Sequence, residues 1–369
     1  NDSIRLSLLT CAPGEEIYSL FGHTAIRYEN SSQGIDVVFN YGLFSFNTPN
    51  FIFRFSLGET DYQLGATDYE RFAAEYAFFG RSVWQQTLNL TDEEKTELIR
   101  LLQENYRPEN RVYRYNFFYD NCATRPRDKI EESIAGKVIY PAEPQDGSLT
   151  FRDIVHQYCK GHPWARFGID LCIGSEADQP ITQRQMMFAP FYLMDAFDGA
   201  QIKGDSIQRP LITANELIVD ATPEPDESDW MPTPLQCSLL LFILTAAATI
   251  YGIRRRTGLW GIDLFLFGIA GIVGCVLAFL ALFSQHPAVS SNFLLLVFHP
   301  GQLLFLPYII YCVRKGKKCW YLTLNLAVLT LFIVLFPVIP QRFDFAVVPL
   351  ALVLLIRSAS NLIVTSKKK

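Results

Sequence analysis

Five apolar stretches fill the last third of this 369-residue chain and constrain its fold more than any other feature. Each approaches the ~20 residues that an α-helix needs to cross a bilayer. Because backbone polar groups find no partner in lipid, such stretches cross a membrane as helices. We therefore predict five transmembrane helices, over residues 235–253, 262–283, 293–313, 319–338 and 345–364.

Basic residues flank the predicted spans at alternate ends, namely at residues 254–256, 314–318 and 367–369. The loops at the opposite ends carry a single base, Arg342. Short loops rich in Lys and Arg stay in the cytoplasm. This pattern predicts a multi-pass protein of the bacterial inner membrane, with its N-terminal domain in the periplasm and its C-terminus in the cytoplasm.

Charge divides the chain at the same place. From Leu235 onward there are twelve Lys and Arg against two acids, whereas 20 Lys and Arg and 35 Asp and Glu precede it. An acidic domain does not attract polyanions, so nucleic acid is excluded as a partner. The predicted domains are a periplasmic domain at 1–219, an acidic, Pro-rich linker at 220–234, a five-span domain at 235–364 and a basic cytoplasmic tail at 365–369.

A cysteine nucleophile is indicated by the run from Tyr115 to Arg125, YNFFYDNCATR. Asp120 and Asn121 are good helix-capping residues, and a helical pattern begins just after Cys122. Unpaired N–H groups at a helix N-terminus favour a thiolate and also bind an oxyanion. The alternative is that Cys122 is simply a small buried apolar residue.

A general base is indicated by the run FGHTAIR, which opens an alternating segment at His23. A polar turn and a second apolar run follow, a pattern that predicts a β-hairpin. Asn40 or Tyr41 would then lie almost opposite His23 and would orient its imidazole, with Asn40 the first choice. Together with the helices that follow, this hairpin predicts an α+β domain.

These motifs resemble those of a known family. A histidine on an early strand, followed later by Asn-Cys at a helix start, resembles the permuted papain-like thiol enzymes of the NlpC type, which include lecithin:retinol acyltransferase. GHTAIR, FNYG, DNCATR and the membrane tail resemble more closely the Lnb-type bacterial lipoprotein N-acyltransferases. The resemblance covers most of the chain. One departure is Pro126, a residue not expected in the helix after the nucleophile.

The resemblance implies a function and its partners. It implies a permuted papain-like fold and acyl transfer from a phospholipid, through a Cys122 thioester, to the N-terminal cysteine amine of a diacylglyceryl lipoprotein. No pair among the four cysteines of the N-terminal part shows zinc spacing, and we expect neither a metal nor a cofactor. The other enzyme hypothesis is a membrane-anchored NlpC-type wall peptidase or amidase, and a non-enzymatic scaffold is the third.

Further residues are expected to serve the site or the fold. Asn121 and Arg27 of the two motifs, His286 in an outward loop and His299 inside the third span are predicted to position substrate. Cys159 and Cys172 flank a short loop, so a disulfide between them is expected in an oxidising compartment. The chain opens without a secretory signal, and we expect that one has been removed or left out.

Overall fold

The computed structural model describes residues 3–44, 49–141, 149–204, 208–221 and 231–366. The predicted tail from 367 and most of the predicted linker, 222–230, lie outside the described residues. The chain folds as two compact units. The first comprises Asn1–Tyr158, Pro180–Glu227 and Gln285–Pro287, and the second comprises Cys159–Gln179, Ser228–Ser284 and Ala288–Lys369.

The first unit is built on an antiparallel sheet of seven strands, in the order β10-β5-β1-β2-β3-β4-β6, beside a small sheet β7-β8-β9. Its described strands are β1 (Ile4–Cys11), β2 (His23–Asn30), β3 (Ile35–Leu43), β4 (Asp61–Asp68), β5 (Val83–Leu88), β6 (Val112–Arg114), β7 (Lys137–Ile139), β8 (Gln201–Lys203), β9 (Gln208–Pro210) and β10 (Ile212–Val219). Strand β1 is buried over its last six residues because both faces of the sheet are covered.

The first unit also contains seven of the described α-helices. They are α1 (Phe51–Ser56), α2 (Tyr69–Phe78), α3 (Asp92–Tyr106), α4 (Thr124–Ser133), α5 (Phe151–Tyr158), α7 (Gln183–Met186) and α8 (Pro190–Asp198), while α6 (Pro163–Cys172) belongs to the second unit. Leu98 and Leu102 of α3 join Ile130 of α4 in the larger core, and Phe72 of α2 joins a second core. The α+β architecture of this unit agrees with the prediction.

The second unit consists mainly of apolar helices. Its described helices after α6 are α9 (Pro234–Arg255), α10 (Trp260–Phe283), α11 (Gly301–Leu304), α12 (Leu306–Lys315), α13 (Trp320–Leu335) and α14 (Val347–Ser366). By length and composition, α9, α10 and α14 are able to cross a membrane. The apolar helix α13 is shorter, at 16 residues.

The continuous span expected at 293–313 is broken. Residues Phe293–Leu304 and Leu306–Lys315 form a pair bent by 73°, which is either a broken span or a re-entrant loop. Pro300 opens the first segment's helix and Pro307 lies in the first turn of α12. Because proline has no N–H to donate and clashes with the preceding turn, each one ends the helix before it.

The second unit contains a buried ion pair. The guanidinium of Arg357 on α14 binds the Asp263 carboxylate of α10 at 2.7 and 3.0 Å and donates to Thr249 Oγ1 on α9 at 3.0 Å. A charge in an apolar helix is stable only with such partners. Residues 159–179 were expected in the N-terminal domain, but they join this unit, where Asn292 Nδ2 donates to the Leu171 carbonyl at 2.7 Å.

Candidate active site

The hairpin of β2 and β3 brings His23 to Asn40. The two strands pair from Asn30–Ile35 to Ala25–Asn40, and side chains alternate between faces, so His23 and Asn40 share a face. The His23 Nε2–H donates to Asn40 Oδ1 at 3.0 Å. An amide oxygen only accepts, so the ring proton is on Nε2 and Nδ1 keeps a lone pair. Nδ1 is therefore the nitrogen that can act as a base.

Tyr41 does not share this role. It is fully buried and points to the opposite face of the sheet, where its hydroxyl donates to Asn105 Oδ1 at 2.8 Å. The prediction that kept Tyr41 as an alternative orienter of His23 is therefore wrong. The reason is register: adjacent residues of a strand face opposite sides.

Cys122 lies in a tight connection just before α4, held by its neighbour Asn121. The Asn121 Oδ1 accepts from the N–H groups of Ala123 and Thr124 at 2.8 and 3.0 Å. Its amide Nδ2 donates to the carbonyls of Phe117 and Phe188. These bonds engage both ends of a buried side chain. Asn121 therefore positions the segment that carries Cys122. The expectation that Asn121 contacts substrate is corrected, because both ends of its side chain bind the backbone.

Pro126 fits the start of α4 without displacing it. The helix begins at Thr124, which puts the proline in its first turn. The N–H groups of that turn have no partner within a helix, so the missing donor costs little there.

The sheet opens where Cys122 approaches it. Pairing between β2 and β3 ends at Ala25–Asn40, and the register of β3 shifts between Asn40 and Leu43. Gly42 lies in this bulge with φ at 90°, and a Cβ added there would meet the Cys122 Cβ at 3.5 Å. A bulge with a glycine turns the strand and lets another segment approach closely.

The backbone N–H groups of Cys122 itself and of Thr24, the residue that follows His23, both act to lower the pKa of the Cys122 thiol. Thr24 and Gly42 belong to the GHTAIR and FNYG motifs, but the motifs do not show that Gly42 lies against Cys122, because that approach depends on the bulge.

Burial controls the protonation of the pair. It raises the pKa of the Cys122 thiol to about 11, although the two N–H groups act in the opposite direction. It also lowers the pKa of His23 to about 4, against the effect of the Asn40 hydrogen bond. At neutral pH both groups are therefore uncharged at rest, Cys122 as a thiol and His23 as a neutral imidazole. The expectation of a thiolate at the helix N-terminus is corrected, because desolvation outweighs the N–H groups.

No sequence motif identifies Tyr113 as a residue of this site. It lies on the short strand β6. Its buried hydroxyl has no hydrogen-bond partner among the described residues and lies 3.9 Å from the position of a Cβ on Gly42. The Arg125 guanidinium covers the ring at 3.6 Å and binds Asp120 at 2.6 Å. Burial and the neighbouring Cys122 hold the pKa of Tyr113 well above its usual value. The phenol therefore remains a donor beside the thiol.

Arg27 is occupied by contacts within the sheet. Its guanidinium binds the Asp36 carboxylate at 2.7 and 2.8 Å, donates to Gln85 Oε1 at 2.8 Å and stacks on the Tyr69 ring at 3.3 Å. Through these bonds Arg27 of β2 links side chains of β3 and β5. The expectation that Arg27 positions substrate is corrected accordingly.

The two other histidines have different surroundings. His286 donates from Nε2 to the Phe55 carbonyl at 2.6 Å and packs against the Phe55 ring. His299 belongs to the second unit, where its Nε2 lies 3.3 Å from Asn325 Oδ1. A role for either in positioning substrate stays a prediction.

The expected disulfide is absent, since Cys159 and Cys172 are both free. Cys159 directly follows α5, whereas Cys172 is the last residue of the ten-residue α6. A helix of that length separates its ends by about 14 Å, while a disulfide needs Cα atoms within about 7 Å. Among the described residues, no group of three His, Cys, Asp or Glu side chains could hold a metal ion.

Two protein-family models match this chain. Residues 1–156 match the Lnb N-terminal periplasmic domain, and residues 226–369 match the Lnb transmembrane domain. No curated protein and no solved structure matches it. The two matches lie in the order of the two predicted domains, and the first contains both His23 and Cys122.

Proposed function

Because this chain belongs to the Lnb family and matches both its periplasmic and its transmembrane domain, we propose that it is a cysteine-dependent lipoprotein N-acyltransferase. It takes an acyl chain from a phospholipid and transfers it to the N-terminal cysteine amine of a diacylglyceryl lipoprotein. The observation that supports this proposal is the approach of Cys122 to Gly42 on β3, the strand that also carries Asn40, the hydrogen-bond partner of His23.

The first half-reaction acylates the enzyme. A phospholipid ester carbonyl approaches the Cys122 sulfur, and His23 Nδ1 takes the thiol proton as the C–S bond forms. Because the thiol is neutral at rest, proton transfer and attack are coupled. The tetrahedral intermediate collapses when the C–O bond breaks, and the imidazolium returns its proton to the glycerol oxygen. Lysophospholipid leaves, and Cys122 holds the acyl group as a thioester.

Charge on the carbonyl oxygen requires donors that are already in place. The backbone N–H groups of Thr24 and Cys122 both favour the charged form of the thiol, and the Tyr113 hydroxyl has no hydrogen-bond partner among the described residues. Donors fixed before the reaction stabilise an oxyanion without reorganising. We assign these three groups to the oxyanion of both half-reactions.

The second half-reaction transfers the acyl group to an amine. The neutral amine of the acceptor attacks the thioester carbonyl while His23 Nδ1 takes one of its protons. The C–S bond then breaks, and the same proton returns to the Cys122 sulfur. The products are an amide and the resting thiol, so no oxidant or cofactor enters the cycle.

The apolar unit supplies access to the substrates. Donor and acceptor both reside in the bilayer, and holding them beside the thiol replaces an encounter from solution. We propose that the five apolar segments cross the inner membrane with the basic C-terminus in the cytoplasm. The broken segment at 293–315 then completes its crossing through two bent parts.

The proposal is tested with the purified full-length chain in phospholipid vesicles that contain a diacylated lipopeptide. The expected products are a triacylated lipopeptide and an equal amount of lysophospholipid. Cys122→Ala and His23→Ala should each abolish both products while the protein remains folded. Cleavage of wall peptides without lysophospholipid release would instead support the NlpC-type peptidase.

A further inference from the structure

The connection from β3 to β4 begins and ends near Cys122. Phe44 at its start lies 5.0 Å from Tyr62 at its end, measured between ring centroids, and Tyr62 stacks on Tyr115 at 4.2 Å. Burial and the nearby Cys122 raise the pKa of Tyr62 to about 12. The connection therefore leaves and rejoins the sheet next to the thiol.

Helix α1 lies within this connection and exposes large apolar side chains. Ile52 is 80% exposed, Phe53 is 59% exposed and Phe55 is 46% exposed. Single exposed apolar residues are common, but three on one short helix form a patch that water solvates poorly. A patch of this kind marks a surface that another apolar phase covers.

Chain continuity indicates what covers α1. The Gln285 N–H donates to the Leu57 carbonyl at 2.8 Å, and His286 Nε2–H donates to the Phe55 carbonyl at 2.6 Å. A Cβ on Gly58, whose φ is 71°, would lie 2.8 Å from the His286 nitrogen, so this packing is close. Gln285 follows the end of α10, a candidate membrane span, by two residues.

The chain that leaves the candidate span α10 therefore binds the C-terminal end of α1 within two residues. An apolar helix at that level meets the boundary between lipid headgroups and acyl chains, where aromatic side chains are favoured.

We propose that α1 is a lipid-contacting element in which Ile52 and Phe53 enter the phospholipid surface on the periplasmic side. Its partner is the bilayer itself. The connection that contains α1 begins and ends near Cys122. The lipids that α1 contacts are therefore those that supply the acyl chain. This last step rests on the proposed function, whereas the lipid contact does not.

Photocrosslinking tests the lipid contact without any need for activity. Phe53→p-benzoylphenylalanine is placed in the full-length chain in vesicles of phosphatidylethanolamine and phosphatidylglycerol. Leu217 is the control, since it is 46% exposed on β10, at the opposite edge of the sheet. The expected result is a phospholipid adduct at position 53 and none at 217. Absence of a lipid adduct at 53, equal adducts at both positions, or crosslinks from 53 to protein alone would overturn the proposal.

An activity comparison tests the link to acyl transfer. Ile52→Ser/Phe53→Ser should lower turnover of vesicle phospholipid roughly tenfold, while turnover of a short-chain soluble ester stays unchanged. Leu217→Ser should change neither rate. An equal loss on both substrates would contradict the lipid-contact role. If the unmodified chain turns over neither the vesicle phospholipid nor the soluble ester, the proposed function is refuted instead.

Discussion

The His23 Nε2–H donates to Asn40 Oδ1 at 3.0 Å, and this bond assigns the imidazole's basic nitrogen to Nδ1. A base that is buried and uncharged at rest depends on its orientation, because charge does not attract it to the thiol. The hydrogen bond to Asn40 supplies that orientation. It also resists the loss of basicity that burial imposes on His23.

Two substitutions of Asn40 should distinguish the orientation of the His23 imidazole from the effect of a charge beside it. Asn40→Ala is expected to lower kcat by about ten- to a hundredfold, with little effect on KM, because the imidazole tautomer is no longer fixed. Asn40→Asp keeps an acceptor and adds a negative charge, which favours the imidazolium and raises the pKa of His23. The acid limb of its kcat/KM profile should therefore move to higher pH. An unchanged profile in Asn40→Asp would contradict the pairing.

The Cys122 thiol should react slowly with alkylating reagents at neutral pH. Since burial raises its pKa to about 11, the rate of modification by iodoacetamide should rise about tenfold per pH unit between pH 7 and pH 9.5. Mass spectrometry of the Cys122 peptide separates this site from the other seven cysteines. A fast rate that does not change from pH 5 upward would show a preformed thiolate and contradict the neutral pair.

His23 should make the protein less stable in acid. Its folded pKa of about 4 lies below the unfolded value near 6.5, so the unfolded chain binds the proton first as pH falls. Stability is therefore lost between pH 6.5 and 4, by roughly 2–3 kcal/mol, and then levels off. His23→Gln keeps a donor for Asn40 but does not titrate. The decrease in Tm from pH 7 to pH 4.5 should be smaller in this variant, and an equal decrease would contradict the assignment.

The Tyr113 hydroxyl is expected to act only in the transition state. Tyr113→Phe keeps the ring under Arg125 and removes one oxyanion donor, so kcat should fall roughly a hundredfold while KM is unchanged. Tyr41→Phe is the matched control, because the Tyr41 hydroxyl already donates to Asn105 Oδ1 and is not available to an oxyanion. That variant should lose about 1 kcal/mol of stability and keep its kcat. Similar kcat values in the two variants would exclude Tyr113 from the site.

Sequence patterns predicted the parts of this protein that depend on local chemistry. Alternating apolar residues gave the β2–β3 hairpin, and its register then decided between Asn40 and Tyr41. The apolar stretches gave helices α9, α10 and α14. Each of these features follows from residues that lie close together in the sequence.

The parts that sequence did not predict depend on contacts between distant segments. Tyr113 is in a three-residue strand with no motif, and only the bulge at Gly42 brings it toward Cys122. Burial of the thiol, which reverses the expected charge state, is likewise a property of the folded domain. Residues 159–179 precede the predicted linker in the sequence, yet they pack in the second unit.

The most direct test of the account is the mass of the Cys122 peptide after the full-length chain has been incubated with phospholipid vesicles lacking an acceptor. The thioester mechanism predicts one added acyl group on Cys122 that hydroxylamine removes and that is lost when a diacylated lipopeptide is supplied. The same incubation with His23→Ala should leave Cys122 unmodified. An unmodified Cys122 in a chain that still acylates the lipopeptide would contradict the thioester mechanism.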